Sequence, residues 1–458
     1  MTSQSEKRDI RIFLGATAIL FAVSLFMVFG GVYMQVILHV SKAPLLLGIV
    51  AGILLAIPLE LWNFSDPDTL YRVMSFQDRF LMVCFGFAIG VGAILLYALN
   101  LIVPSLNFGI KDFFVPGIII GGIIFGAGVG VAGYFPGTVW IALGQGRRDA
   151  IWALLGGLLG AFTWSVIFGP VKWFFWNTLN YGPITWASIF GITSKIGIFD
   201  VALIFGIILV LLFLILPRYP GEKVRDSCGS HILGLSKNVV RFDDLIKEEK
   251  EKYPHARSFV TRITNESSIW NARYVIFLGA EFTIAAVAVI VLHQIFGEST
   301  TYSWIGAQLS YIVNPTWAAS NPYFELFGGM HIINGLAVNN PFSEIGWEPF
   351  SDLGTFLGGL ISATIISKRF MKYKPQIPKV WEHRFGTSKN KRAIGAFIGT
   401  YLVLFGARMA NGCASGHILS GNIQMAISSF VFMIVVLLSS WVVLYGMLRL
   451  KINKRGYR

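Results

Sequence analysis

Charge is what this sequence has least of. Asp, Glu, Lys and Arg make up 13% of its 458 residues, against about a quarter in a soluble domain. With 55% hydrophobic residues and 49 glycines, that shortage excludes an ordinary water-soluble fold and points to a polytopic membrane protein. Cysteine is scarcer still. Cys84, Cys228 and Cys413 stand far apart, so neither a disulfide framework nor a CxxC metal site is available. No cleavable leader is expected either: residues 2–11 are polar, and the apolar run behind them is too long for a signal core. Acidic residues are the minority sign, 24 against 37 basic, for a formal charge of +13. Here the basic residues gather beside apolar runs, which is the pattern of membrane topology and not of a nucleic-acid partner. No haem-ligand pair, metal cluster or other cofactor site is legible, and none is expected.

What is abundant is apolar sequence in lengths that cross a bilayer, about 20 residues each. Ten such segments fall at 12–37, 45–62, 80–103, 115–134, 149–172, 198–217, 274–296, 350–367, 393–411 and 424–448. Residues 218–273 carry 11 Lys and Arg, residues 368–392 carry nine and residues 449–458 five. Placing all three clusters in the cytoplasm satisfies the positive-inside rule and puts both termini there. Residues 302–313 and 323–333 are apolar but too short to cross, and read as outer-face or re-entrant pieces. The chain divides into an N-terminal half (1–217), a polar cytoplasmic linker (218–272) and a second half (273–458). A helix around 242–252 is expected within the linker.

The polar stretch 406–421, GARMANGCASGHILSG, interrupts two of the longest apolar runs. A cation, a thiol, an imidazole and hydroxyls at this depth are tolerated where protein or a water-filled cavity satisfies them, and are functional candidates for that reason. The alternative is an ordinary extramembrane turn. Residues 128–138, GVGVAGYFPGT, form a second, similar break. Setting Gly128 on Gly406 places Gly130 opposite Arg408 and Phe135 opposite Cys413. Under the topology above the two copies run in opposite directions, segments 2–5 matching 7–10. The expected fold is therefore an all-α polytopic membrane protein of about ten transmembrane helices in two inverted repeats. Glycine-rich broken or re-entrant helices meet near the membrane centre, where transporters hold their substrate.

These motifs are similar to those of the YeeE/YedE-type sulfur-transport family. GARMANGCASGHILSG resembles that family's Gly-Ala-Arg-x-x-x-Gly-Cys-x-x-Gly-His-x-x-Ser-Gly signature, and GVAGYFPGTVWIALGQGRRDA resembles its first-half motif. Weaker likenesses cover residues 63–78, 297–306 and 354–362. The resemblance implies a prokaryotic inner-membrane protein that imports thiosulfate or a related small sulfur anion through a relay of thiol hydrogen bonds. Two family cysteines are replaced, by Ser65 and by Phe135. Only Cys413 keeps its thiol. Ser65 still donates an O–H, whereas Phe135 cannot donate and would narrow or dry the path.

The residues themselves suggest how an anion could be held. Helix N-termini near Thr138, after Gly137, and near Gly416 would offer free N–H groups and positive dipole ends. Arg408 offers a permanent charge and a planar donor fork, unless a carboxylate such as Glu281, Glu60 or Asp352 claims it. His417 could donate to substrate or carry a proton, or simply be hydrogen-bonded at a helix start. Cys413 and Ser415 supply further donors. No pair of intramembrane carboxylates stands at a spacing that marks a coupling-ion site. Three readings follow. The first is a non-enzymatic permease for a small sulfur-containing anion in the lipid bilayer. The second is a membrane sulfurtransferase or redox protein using a Cys413 persulfide. The third is a partner of cytoplasmic sulfur-carrier proteins acting through Cys228.

Overall fold

Apolar runs punctuated by glycine become helices throughout a computed structural model of the chain, which describes residues 4–40, 43–106, 108–215, 247, 249–257, 269–343, 346–370 and 377–447. In order they are α1 (Gln4–Val36), α2 (Leu45–Leu61), α3 (Pro67–Met74), α4 (Phe80–Ile102), α5 (Val115–Ala132), α6 (Pro136–Gly144), α7 (Asp149–Lys172), α8 (Trp186–Ile189) and α9 (Lys195–Ile215). After the linker come α10 (Ile269–His293), α11 (Thr300–Val313), α12 (Pro315–Ser320) and α13 (Pro322–Phe327). A hairpin of β1 (Met330–Ile333) and β2 (Leu336–Asn339) follows, then α14 (Trp347–Ile361), α15 (Lys379–Phe385), α16 (Lys389–Met409) and α17 (Ile427–Met447). Cys228 and most of the expected 242–252 helix lie outside the described residues.

The protein is an all-α polytopic membrane protein. Among the described residues eight helices are long and apolar enough to cross a bilayer, against the ten expected. Two segments account for the difference: α2 has only 17 residues, and α16 buries Arg392 and Arg408 along its length. The pieces 302–313 and 323–333 form no helix long enough to cross. They form α11, α13 and the hairpin, whose Asn334–Gly335 turn has both φ values positive and so matches the twist of a two-residue connection.

Packing follows the expected correspondence of segments. α5 lies against α16, α7 against α16 and its counterpart α17 against α5. Likewise α2 packs on α14 while α4 packs on α10, and α6 meets α14 while residues 415–421 meet α4. α1 and α9 lie outside this set, on α10 and α4 respectively. The central α5–α16 crossing is close because it is built on glycine. A Cβ on Gly406 would fall 2.5 Å from the Gly121 carbonyl oxygen, and one on Gly121 would fall 2.7 Å from that of Gly406. No side chain fits there.

One face carries a buried ionic layer. Arg147 bonds Asp66 at 3.2 Å and Asp149 at 3.4 Å, and Arg392 bonds Asp149 at 2.8 Å. Tyr134 also donates to Asp149, at 2.9 Å. Lys252 from the linker pairs with Asp66 and, at 2.6 Å, with Asp68, while Glu249 pairs with Arg369. Burial alone would raise the Asp68 carboxyl, but Lys252 and the N–H groups of Val380 and Lys379 outweigh it and hold it at about 2. These pairs fix the 66–68 turn beneath the first broken helix.

Candidate functional site

The first break begins where α5 ends on Gly133, whose φ of +68° is the left-handed conformation glycine tolerates. The turn packs on Pro67 and Tyr71, and Tyr71 donates to the Val131 carbonyl at 2.8 Å. Pro136 then starts α6 at its first position, where a missing N–H costs nothing. Phe135 has no side-chain acceptor to cap this helix. Thr138 performs that task in reverse: its hydroxyl accepts from the Phe135 N–H at 2.8 Å and donates to the Phe135 carbonyl at 3.0 Å.

The second break is built differently. α16 ends at Met409, Asn411 turns with φ +52°, and residues Ser415–Gly421 form a wide π-helical turn before α17. His417 holds it together. Its Nε2 lies 3.0 Å from the Ala410 carbonyl and its Nδ1 3.1 Å from the Ser429 hydroxyl. The carbonyl can only accept, so Nε2 carries the proton and Ser429 donates to Nδ1. The ring stacks on Phe432 and fills the space beside Gly412, where an added Cβ would lie 2.7 Å from it. Ser420 accepts from the Phe296 N–H at 3.0 Å, tying the break to the loop between α10 and α11.

The two breaks open on one cavity of 340 Å³. Phe135, Gly137 and Thr138 enter from the first, Ala414 and Ser415 from the second, and Phe296 and Glu298 from the loop between. The remaining wall is apolar, with Phe64, Phe85 and Phe282 prominent. Phe135 sits in an aromatic row, its ring 5.7 Å from Phe64 and 5.8 Å from Phe125. Cys413 is buried just behind, its Sγ 3.0 Å from the Ser415 hydroxyl.

Of the residues singled out by sequence, Phe135, Gly137, Thr138 and Ser415 are thus brought together, with Cys413 adjoining. Gly416 lies beside them in open packing, with Phe296 and Lys111 no nearer than 3.7 Å to an added Cβ. Ser65 is fully buried next to Phe64, its hydroxyl without a hydrogen-bond partner among the described residues. Neither it nor His417 lines the cavity. Arg408 is engaged elsewhere, and by hydroxyls instead of a carboxylate. It donates to Tyr323, and at 3.0 Å to both Ser299 and Thr300, and stacks over Phe327 at 4.6 Å. Its Nη2 has no partner among the described residues.

Sequence reasoning takes Asp352 only as a possible partner of Arg408 and does not bring it together with other carboxylates. Glu298 lines the cavity, and Asp352 and Glu348 approach it from α14. Glu298 stands 50 positions before Glu348 and 54 before Asp352, so local spacing could reveal only the Glu348–Asp352 pair, one turn apart on α14, and not its meeting with Glu298. No group of three or more His, Cys, Asp or Glu side chains among the described residues is arranged to hold a metal ion.

Comparison with known proteins agrees with the motifs. A family profile described as Sulphur transport matches residues 63–442. The chain is also similar to the thiosulfate transporter TsuA of Spirochaeta thermophila, 22% identical over 402 residues, covering 88% of this chain and 98% of the relative.

Proposed function

We propose, from the premise that this chain belongs to the Sulphur transport family, that it is a permease for thiosulfate or a closely related small sulfur-containing anion. One observation carries the reading: two glycine-broken helices from opposite halves of the chain open on a single cavity, with Cys413 and Ser415 on one side and Phe135 to Thr138 on the other. An anion there exchanges hydration for the Ser415 hydroxyl, the Cys413 thiol and N–H groups at the two helix starts. Phe135 replaces a donor by an aromatic wall and acts as a steric gate, so small or weakly hydrated anions pass best. The relative's activity on thiosulfate supports this substrate class.

In the same reading residues 1–217 and 273–458 are the two halves and 218–272 a cytoplasmic linker. Both termini face the cytoplasm of a prokaryotic inner membrane, where a sulfur-carrier protein could receive the cargo. The test is uptake of radiolabelled thiosulfate into proteoliposomes, in competition with sulfite, sulfate and selenite. Saturable uptake displaced best by one sulfur anion is expected. An intact, folded chain that moves none of them, yet forms a persulfide on Cys413, would make it a sulfurtransferase instead.

A further inference from the structure

The cavity that would pass an anion contains an acid. Glu298 is 6% exposed, and its carboxylate lies over Gly137, where an added Cβ would fall 1.9 Å from Oε2. The Ser415 hydroxyl faces it across the cavity wall and meets the Cys413 thiol at 3.0 Å. Ser415 and Glu298 thus line the same cavity, with Cys413 bonded behind Ser415. Behind it, on α14, stand Glu348 and Asp352. Glu348 is occupied, accepting from the Thr300 N–H at 2.7 Å. Asp352 is 1% exposed, and although Thr301 faces it, neither carboxylate oxygen makes a well-formed hydrogen bond among the described residues.

The charges acting most strongly on Glu298 and Asp352 have the same sign as theirs. Glu298 feels Glu348, and Asp352 feels Glu298, Glu348 and the Cys413 thiol from the second break. Tyr302 of α11 also stands beside them. Lys111 faces Glu348, Cys413, Asp112 and the like-charged Arg408. Buried carboxylates without a cation between them are stable only when a proton is shared or bound. A divalent anion entering the same cavity would meet further repulsion unless those protons were present.

We propose that Glu298 and Asp352 form a proton-carrying pair, and that the sulfur anion crosses this chain together with protons. The proposal rests on the permease reading above and adds its coupling. Two carboxyl protons balance the two charges of thiosulfate: each acid is neutral while the anion occupies the cavity and releases its proton when the anion leaves. Unpartnered Asp352 oxygens suit this role, because an oxygen that accepts from no donor is open to a proton.

Full-length chain in proteoliposomes decides the matter. An inward gradient of about one pH unit is expected to raise thiosulfate accumulation by about tenfold per proton carried. Adding thiosulfate should also make a weakly buffered external medium more alkaline. Glu298→Gln and Asp352→Asn are expected to lose the gradient response, whatever flux remains. Uptake equally fast with and without the gradient, with no proton movement, overturns the coupling and leaves the permease reading intact. A sodium gradient driving uptake in place of the proton gradient, or a gradient response surviving in both variants, overturns it too. The wild-type proton measurement stands even if a variant fails to fold. No thiosulfate flux under any gradient removes the permease reading, and the coupling with it.

Discussion

The two broken helices pack in corresponding ways, α6 on α14 and residues 415–421 on α4, yet they are held by opposite means. The first is clamped from outside: Gly133 rests on Pro67 and Tyr71, and the 66–68 turn is pinned by Lys252 and Arg147. The second is clamped from within, by one imidazole bridging Ala410 and Ser429. Their cavity faces differ as well. The first offers a ring and a hydroxyl already used on its own backbone; the second offers the Ser415 hydroxyl, with the Cys413 thiol bonded behind it. Equivalent backbone placement therefore leaves chemistry free to diverge, because a break needs only glycine, a helix start and some group to satisfy the turn.

The largest effect should come from removing the internal clamp. His417→Ala leaves a buried carbonyl and a hydroxyl unpaired and strips the ring from Phe432, a loss of about 3–4 kcal/mol; thermal unfolding in detergent would measure it. An unchanged melting temperature would mean the second break is held otherwise. The external clamp should fail in acid by a smaller amount. Asp68 drops from its ordinary 3.8 to about 2 on folding. The associated stability, about 2 kcal/mol, is therefore fully present above pH ~4 and lost as pH falls toward ~2. Asp68→Asn should abolish that acid-dependent component in a pH series of melting temperatures.

Smaller effects concern flux. Cys413→Ala is expected to slow thiosulfate uptake by at least about tenfold, the worth of one hydrogen bond to an anion, with Cys413→Ser keeping part of the rate. Buried Cys84, packed among apolar neighbours on α4, should change uptake less than about twofold when made Ala, since a buried cysteine behaves as a small hydrophobe. Between these lies Phe135→Cys, which would make the first break chemically like the second. It should raise thiosulfate uptake a few-fold or broaden selectivity, despite a packing cost of about 2 kcal/mol. A folded variant with unchanged rate and selectivity would show that Phe135 is packing alone.

Much of this was decided by the amino-acid sequence itself. Scarce charge and repeated apolar runs dictate membrane helices, since only closed hydrogen bonding survives in hydrocarbon. The spacing of glycines, Pro136 and the 406–421 motif likewise marks both breaks, because local backbone chemistry determines where a helix stops and starts. The tertiary structure decided what those breaks face. Arg408 reads as a substrate or carboxylate ligand, yet it is engaged by Tyr323, Ser299 and Thr300, none of them near it in the chain. For His417 the sequence leaves two readings open, a donor to substrate or a hydrogen-bonded histidine at a helix start, and its bonds run to Ala410 and Ser429. Glu298 and Asp352, 54 positions apart by their numbers, share one buried site only because α14 folds back against α6. Periodicity reports what a residue does along its own helix, and these assignments depend on side chains brought in from other helices.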